Sequence, residues 1–302
     1  MPGRPPTVED MQTPNTLGEF LRARREQVHP QDVGLRAIGQ RRTPGLRREE
    51  VALLAGISTD YYLRLEQGRD RTPSAQVTAA LARALRLDPD QTAYLHGLVR
   101  PRPRPGRSRP QQVPAGTRLL VDSLPMPAFV EDRYLDVLAA NPVARALSPN
   151  LRPGTNRLLA AFLDPGEREL FEDWEQATAA AVGQLRAVTG AHADDPRMAA
   201  LVGELALKSE RFRKLWARHD VVRRAGGPAR LHHLEVGALE LHREKLVVAG
   251  TDDQVLVVYH AEPGTPSARA LARLATIAAG SADESEESRE PVRDPRWHLP
   301  PA

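Results

Sequence analysis

Two groups of side chains in this 302-residue chain have types and spacings that could do chemistry. His232, His233, Glu235 and His242 offer the imidazole and carboxylate donors that zinc accepts. Adjacent histidines in a strand point to opposite faces, and neither a cysteine nor an HxxxH spacing supports them, so a metal site is not expected. Catalysis is not expected either: the chain lacks a G-x-S-x-G elbow, a G-x-G-x-x-G loop and a G-x4-G-K-[ST] loop. The second group is Thr59, Asp60 and Arg64. A threonine methyl suits the thymine methyl, a carboxylate accepts from cytosine, and a guanidinium bonds both major-groove acceptors of guanine. That chemistry is recognition. The plainer alternatives are an acid that complements a helix dipole for Asp60 and a solvated charge for Arg64.

These residues need helices to hold them, and five can be read around them. The first spans about 17–28, with Leu17, Phe20, Leu21 and Val28 on one face. A second covers roughly 47–55 and buries Val51, Ala52 and Leu54. Gly56 and Ile57 form a turn, and Ser58 caps a third helix over 59–67 that buries Tyr62 and Leu65. A fourth runs over 74–85. The fifth opens with Asp88 as N-cap, Pro89 at the first position and Gln91 at the third, and continues to 98.

The run Glu49-Glu50-Val51-Ala52-Leu53-Leu54-Ala55-Gly56-Ile57-Ser58, followed by Tyr62, Leu65-Glu66-Gln67-Gly68 and Pro73-Ser74, resembles the phage-repressor-like (XRE) family of helix-turn-helix domains. The resemblance implies double-stranded DNA as the partner. It places Thr59, Asp60 and Arg64 at base edges in the major groove, and Arg47, Arg48, Ser58, Tyr61 and Arg69 at the DNA backbone. The stretch between Val28 and Gly45 is longer than usual for such domains. It brings Arg41 and Arg42 beside the second helix as further backbone contacts, or as a solvated loop. Reading a two-fold site takes two copies, so a homodimer is expected.

The charge distribution agrees. Residues 16–109 carry 18 Arg against 10 acids, whereas 110–302 are net acidic, within a total of +3. Of 42 basic residues only Lys208, Lys214 and Lys245 are Lys, so arginine abundance itself is compositional bias and only its placement informs. With no cysteine, no apolar h-region and no membrane-length apolar run, a cytoplasmic protein is expected. The expected organisation is a disordered arm at 1–15, the DNA-binding domain at 16–99, a Pro/Arg linker at 100–115, a second domain at 116–280 and a disordered tail at 281–302. The fold class is therefore multidomain, an all-α helix-turn-helix bundle followed by an α+β domain with an antiparallel sheet.

In that second domain, 127–141 reads as a hairpin that turns at Glu131-Asp132-Arg133. Helices at 165–188, 196–207 and 210–216 follow, then strands at 237–242, 245–249 and 254–259. This order suits a PAS-like sheet. Asp173-Trp174-Glu175, Leu201-Val202-Gly203-Glu204-Leu205, Phe212-Arg213, Leu215-Trp216-Ala217, His219-Asp220-Val221 and Val257-Val258-Tyr259 stand in it. With Arg41-Arg42-Thr43-Pro44-Gly45-Leu46 ahead of them, they make the chain similar to MmyB-type regulators over about 16–275. That resemblance implies a PAS-like domain that senses a small apolar ligand, such as a fatty acid, with no other cofactor. Leu138, Asn141, Trp174, Phe212, Trp216, His219, Val221 and Tyr259 are candidate pocket residues, each with core packing as the alternative; for His219 a structural role at a helix end is preferred. The rival reading is a domain that only dimerises or binds a protein, and a buried apolar cavity would separate the two.

Overall fold

A computed structural model describes residues 16–35, 45–99, 112–189, 195–222, 226–251 and 253–287. Five helices come first: α1 Thr16–Gln27, α2 Arg48–Ala55, α3 Thr59–Glu66, α4 Ala75–Ala84 and α5 Pro89–Val99. Each starts where local chemistry allows. The Arg47 N–H donates to Glu50 Oε2 at 2.7 Å, and Ser58 Oγ and Ser74 Oγ accept from the amides of Tyr61 and Val77. Asp88 and Gln91 cap each other reciprocally. Gly56 takes a left-handed φ of 67°, which lets α2 end and α3 leave at an angle. Leu17, Phe20, Leu21, Leu46, Val51, Ala52, Tyr62, Leu65, Leu81 and Leu95 form the core. Leu54, expected inside, is 36% exposed beside the more exposed Leu53, because the buried stripe of α2 passes through Val51, Ala52 and Ala55.

The second domain opens with α6 Ala115–Ser123, then β1 Ala128–Glu131 and β2 Val137–Ala140. Helices α7 Pro142–Leu147, α8 Arg157–Leu163, α9 Pro165–Leu170, α10 Trp174–Thr189, α11 Pro196–Lys208 and α12 Glu210–Ala217 follow. Three strands, β3 Gly227–His233, β4 Gly237–Val247 and β5 Val255–His260, precede α13 Pro266–Glu287. The sheet is antiparallel throughout, in the order β2-β1-β5-β4-β3. One face carries Phe129, Leu239, Leu241, Val257 and Tyr259 against Leu271 and Leu274 of α13. The other packs Val130 and Leu256 on Val121 of α6. A third cluster, with Leu158, Leu185, Leu205 and Phe212, joins α8, α10, α11 and α12.

Several expectations change. The helix expected over 165–188 is two helices: Phe171 is extended and bridges Leu231, and the Glu172 amide donates to the Arg230 carbonyl. The strand expected from Tyr134 starts at Val137, because Leu135 turns through a φ of 68° and Asp132 Oδ1 accepts from the Tyr134 and Asp136 amides. The break expected between the strands at 237–242 and 245–249 is absent, since Arg243 and Glu244 pair with β5 and β4 runs straight through. β3 escaped notice because an edge strand that buries only Leu231 shows little alternation and tolerates Pro228. α13 continues to Glu287, past the boundary expected at 280.

Candidate functional site

Two surfaces carry functional geometry. The first is on α3. Thr59, Asp60 and Arg64 are exposed on it, and Tyr61 is half-buried beside them. Arg64 Nη1 donates to Asp60 Oδ2 at 3.0 Å, one helical turn back, and its guanidinium lies 5.7 Å from the Tyr61 ring centroid. Arg69 is exposed just beyond α3. Behind this face, the Glu66 carboxylate accepts from Arg25 Nε and Arg48 Nε, each at 2.6 Å, while Arg25 Nη1 holds the Leu46 carbonyl at 2.9 Å. Burial would lower the Arg25 pKa, but Glu66 outweighs it and raises it. Arg48 is therefore both a tie to α3 and, with nearly half its side chain exposed, a cation at the start of α2. Arg47 is the α2 N-cap and Ser58 the α3 N-cap, which keeps both at helix starts. Arg41 and Arg42 lie outside the described residues.

The second surface is a cavity of about 280 Å³ between α8, α10 and the inner face of β3 and β4. Leu135, Leu158, Ala161, Phe171, Trp174, Ala177 and Ala181 supply apolar wall. Arg157, Arg230, Arg243 and Lys245 supply cations. Glu131, fully buried, receives Arg157 Nη1 at 2.6 Å and Lys245 Nζ at 3.0 Å. Burial pushes this carboxyl up, but the two cations outweigh it and hold it at about 2. Burial and the neighbouring Arg157 and Arg243 lower Lys245 to about 8, with Glu131 opposing them. Arg230 pairs with Glu172 at 3.4 Å, and Arg243 Nε is buried without a hydrogen-bond partner. Glu172, the partner of Arg230, and Asp173 also line the cavity at the start of α10; at the sheet end one carboxylate faces two cations with a third beside them, so that end carries excess positive charge.

Of the expected pocket residues, Trp174 lines this cavity and the other seven are placed elsewhere. Leu138 lies under α6 on the opposite face of the sheet. Asn141 caps α7 and fastens the Ala128 amide and the Leu124 and Met126 carbonyls. Phe212 and Trp216 stack in the helical core, and Tyr259 stacks on Phe129 in the sheet core. His219 and Val221 sit between the domains. Among the described residues there is no group of His, Asp and Glu that could hold a metal, and no helix long and apolar enough to cross a membrane.

Residues 16–95 match the family described as a helix-turn-helix domain, and residues 113–274 match the MmyB-like transcription regulator ligand binding domain. The chain belongs to the MmyB-like transcription regulators. No curated protein matches it. In this MmyB-like regulator the α3 face belongs to the helix-turn-helix domain. The cavity lies inside a domain whose family is defined by ligand binding. The cavity cations were missed from sequence, although a signal existed. Leu239, Leu241, Arg243 and Lys245 alternate along β4, so the two cations continue the inward row that the leucines begin. Lys245 is also one of only three lysines in the chain.

Proposed function

We propose that this regulator binds its operator as a homodimer through α3 and responds to an amphipathic small molecule held between α10 and the sheet. The expected ligand has an apolar body and an anionic head group, of which a fatty acid is the simplest case. One observation carries this reading: apolar walls closed by the excess positive charge of Arg157, Arg243 and Lys245 around the single Glu131 carboxylate. Pockets that combine apolar lining with a few placed polar groups are where small ligands bind. A domain built only to dimerise has no use for such a cavity.

Native mass spectrometry of the full-length protein, followed by solvent extraction and titration with laurate, tests it. A retained mass that extracts as an anionic amphiphile, or saturable laurate uptake weakened at least about tenfold by Arg243→Ala, is the expected result. A protein that emerges empty and takes up no laurate overturns the amphiphile reading. It would leave a dimerising or protein-binding role for this domain.

A further inference from the structure

Residues 218–222, which follow α12, run between the two domains and are gripped from both sides. From the DNA-binding bundle, Arg24 of α1, 8% exposed, donates through Nη2 to the carbonyls of Arg218 and His219 and to Asp220 Oδ1 at 3.1 Å. Gln27 Nε2 adds a bond to the Arg218 carbonyl at 2.8 Å. These carbonyls lie at the negative end of α12, where a guanidinium is favourable. Val221 is buried as part of the bundle's own hydrophobic cluster, with Ala187 of α10 packed against it.

From the second domain, Arg186 of α10 donates to the Trp216 carbonyl, meets His219 Nδ1 at 3.0 Å and lies 3.8 Å above the Trp216 ring centroid. The Val222 amide donates to the Gly183 carbonyl at 3.1 Å. A Cβ on Gly183 would stand 2.7 Å from Val222 Cγ2. α10 also walls the cavity, through residues from Trp174 to Gln184, and α12 grips the start of that wall: its Arg211 donates to Thr178 Oγ1 and the Glu175 carbonyl and lies over the Trp174 ring.

We propose that residues 218–222 are a latch that docks the DNA-binding bundle on the ligand-binding domain, and that occupancy of the cavity changes its hold through α10 and α12. The second half of this proposal rests on the cavity being the ligand site. Two features suit a contact that releases. Interfaces between domains of one chain are generally small and permit relative motion. Arg24 Nε and Arg186 Nε are also buried without partners, so the docked arrangement carries uncompensated polar cost. The latch holds α1, and the next residue on α1, Arg25, ties α3 and α2 through Glu66. Docking therefore sets where each DNA-reading helix of a dimer points.

Hydrogen exchange read by mass spectrometry on the full-length protein tests both halves. Gly183→Ala favours the helix of α10 but puts a methyl group into Val222, and Arg24→Met removes the clamp while keeping the buried stem. Exchange in α1, α5 and 218–222 is expected to rise about tenfold or more in both variants, with β1, β4 and β5 unchanged. Unchanged exchange in α1 and 218–222 in the variant that folds overturns the latch. In the unmodified protein, laurate below its micelle concentration is expected to protect the first turns of α10 and also to alter exchange at 218–222 and α1. Protection confined to the cavity overturns control by occupancy and leaves the ligand reading standing. No protection anywhere overturns the amphiphile reading and cavity control together, while the variants still decide the latch.

Discussion

Arg64, the proposed base contact, already has a partner in the protein alone. In the free protein it is paired with Asp60, and both are exposed. An exposed i, i+4 pair contributes only about 0.3–0.5 kcal/mol, so DNA can redirect the guanidinium at little cost. We expect Arg64→Ala to weaken binding to the operator by about 1–3 kcal/mol and to relax one base position. Competition against random DNA checks this, and an equal loss there removes Arg64 from the base contacts. Glu66 behaves differently because it is buried between two arginines. Glu66→Gln leaves Arg25 buried without its carboxylate, and the expected loss is about 3–5 kcal/mol in the urea unfolding of the bundle. A loss below about 1 kcal/mol would mean that the network is not the tie it looks like. Arg48→Ala should weaken specific and random DNA binding alike and reduce the salt slope by about one, which salt titration of binding reports.

Among the elements, β1 and β4 decide the chemistry of the cavity. β1 buries Glu131 and β4 turns Arg243 and Lys245 inward, with Arg157 arriving from α8. Because folding lowers the Glu131 pKa from 4.5 to about 2, its contribution to stability is fully present above pH 4.5 and is lost as pH falls toward 2. The size is of order 3 kcal/mol. Urea midpoints between pH 5 and 2.5 should therefore fall, and Glu131→Gln should flatten that slope while lowering stability at pH 7. A parallel slope in the variant would assign the acid sensitivity to other groups. Sequence periodicity places β4 well enough at its start, because Leu239 and Leu241 alternate with polar residues. It fails at Arg243-Glu244, where charged residues look like a turn until β5 is seen beside them.

For the whole molecule, the junction between domains adds a second acid-sensitive group. His219 faces Arg24 from α1 and Arg186 from α10, with Arg218 and Asp220 on its own segment and Tyr94 of α5 beside Arg186. Burial, then Arg186 and Arg24, lower its pKa from 6.5 to about 3. The unfolded chain takes up that proton near pH 6.5 and the folded, docked protein does not. Stability therefore falls as pH drops below 6.5, by up to tenfold in the folding equilibrium per pH unit, and levels off near pH 3. This window opens two units above that of Glu131. His219→Gln keeps an acceptor for Arg186 and should remove the slope between pH 6.5 and 4.5 in thermal unfolding; an unaltered slope would show that His219 does not couple to folding.

The sequence by itself determined α3 and the helices around it. Caps, the Gly56 turn and a 3.6-residue stripe are local signals, and a short helical bundle satisfies most of its constraints within a few residues of chain. It also carried the resemblance of the second domain to its family, in runs such as Asp173-Trp174-Glu175, Leu215-Trp216-Ala217 and His219-Asp220-Val221. For the aromatic residues, core and pocket stayed alternatives, since both are apolar and only three-dimensional packing puts Trp174 on a cavity wall and Phe212 and Tyr259 in cores. Tertiary structure alone decided that Arg157 of α8 and Lys245 of β4 converge on Glu131 of β1 with Arg243 beside them, and that Val221 crosses into the other domain's core. Burying a charge or lending a side chain to a neighbour depends on partners distant in sequence, and no local period records them.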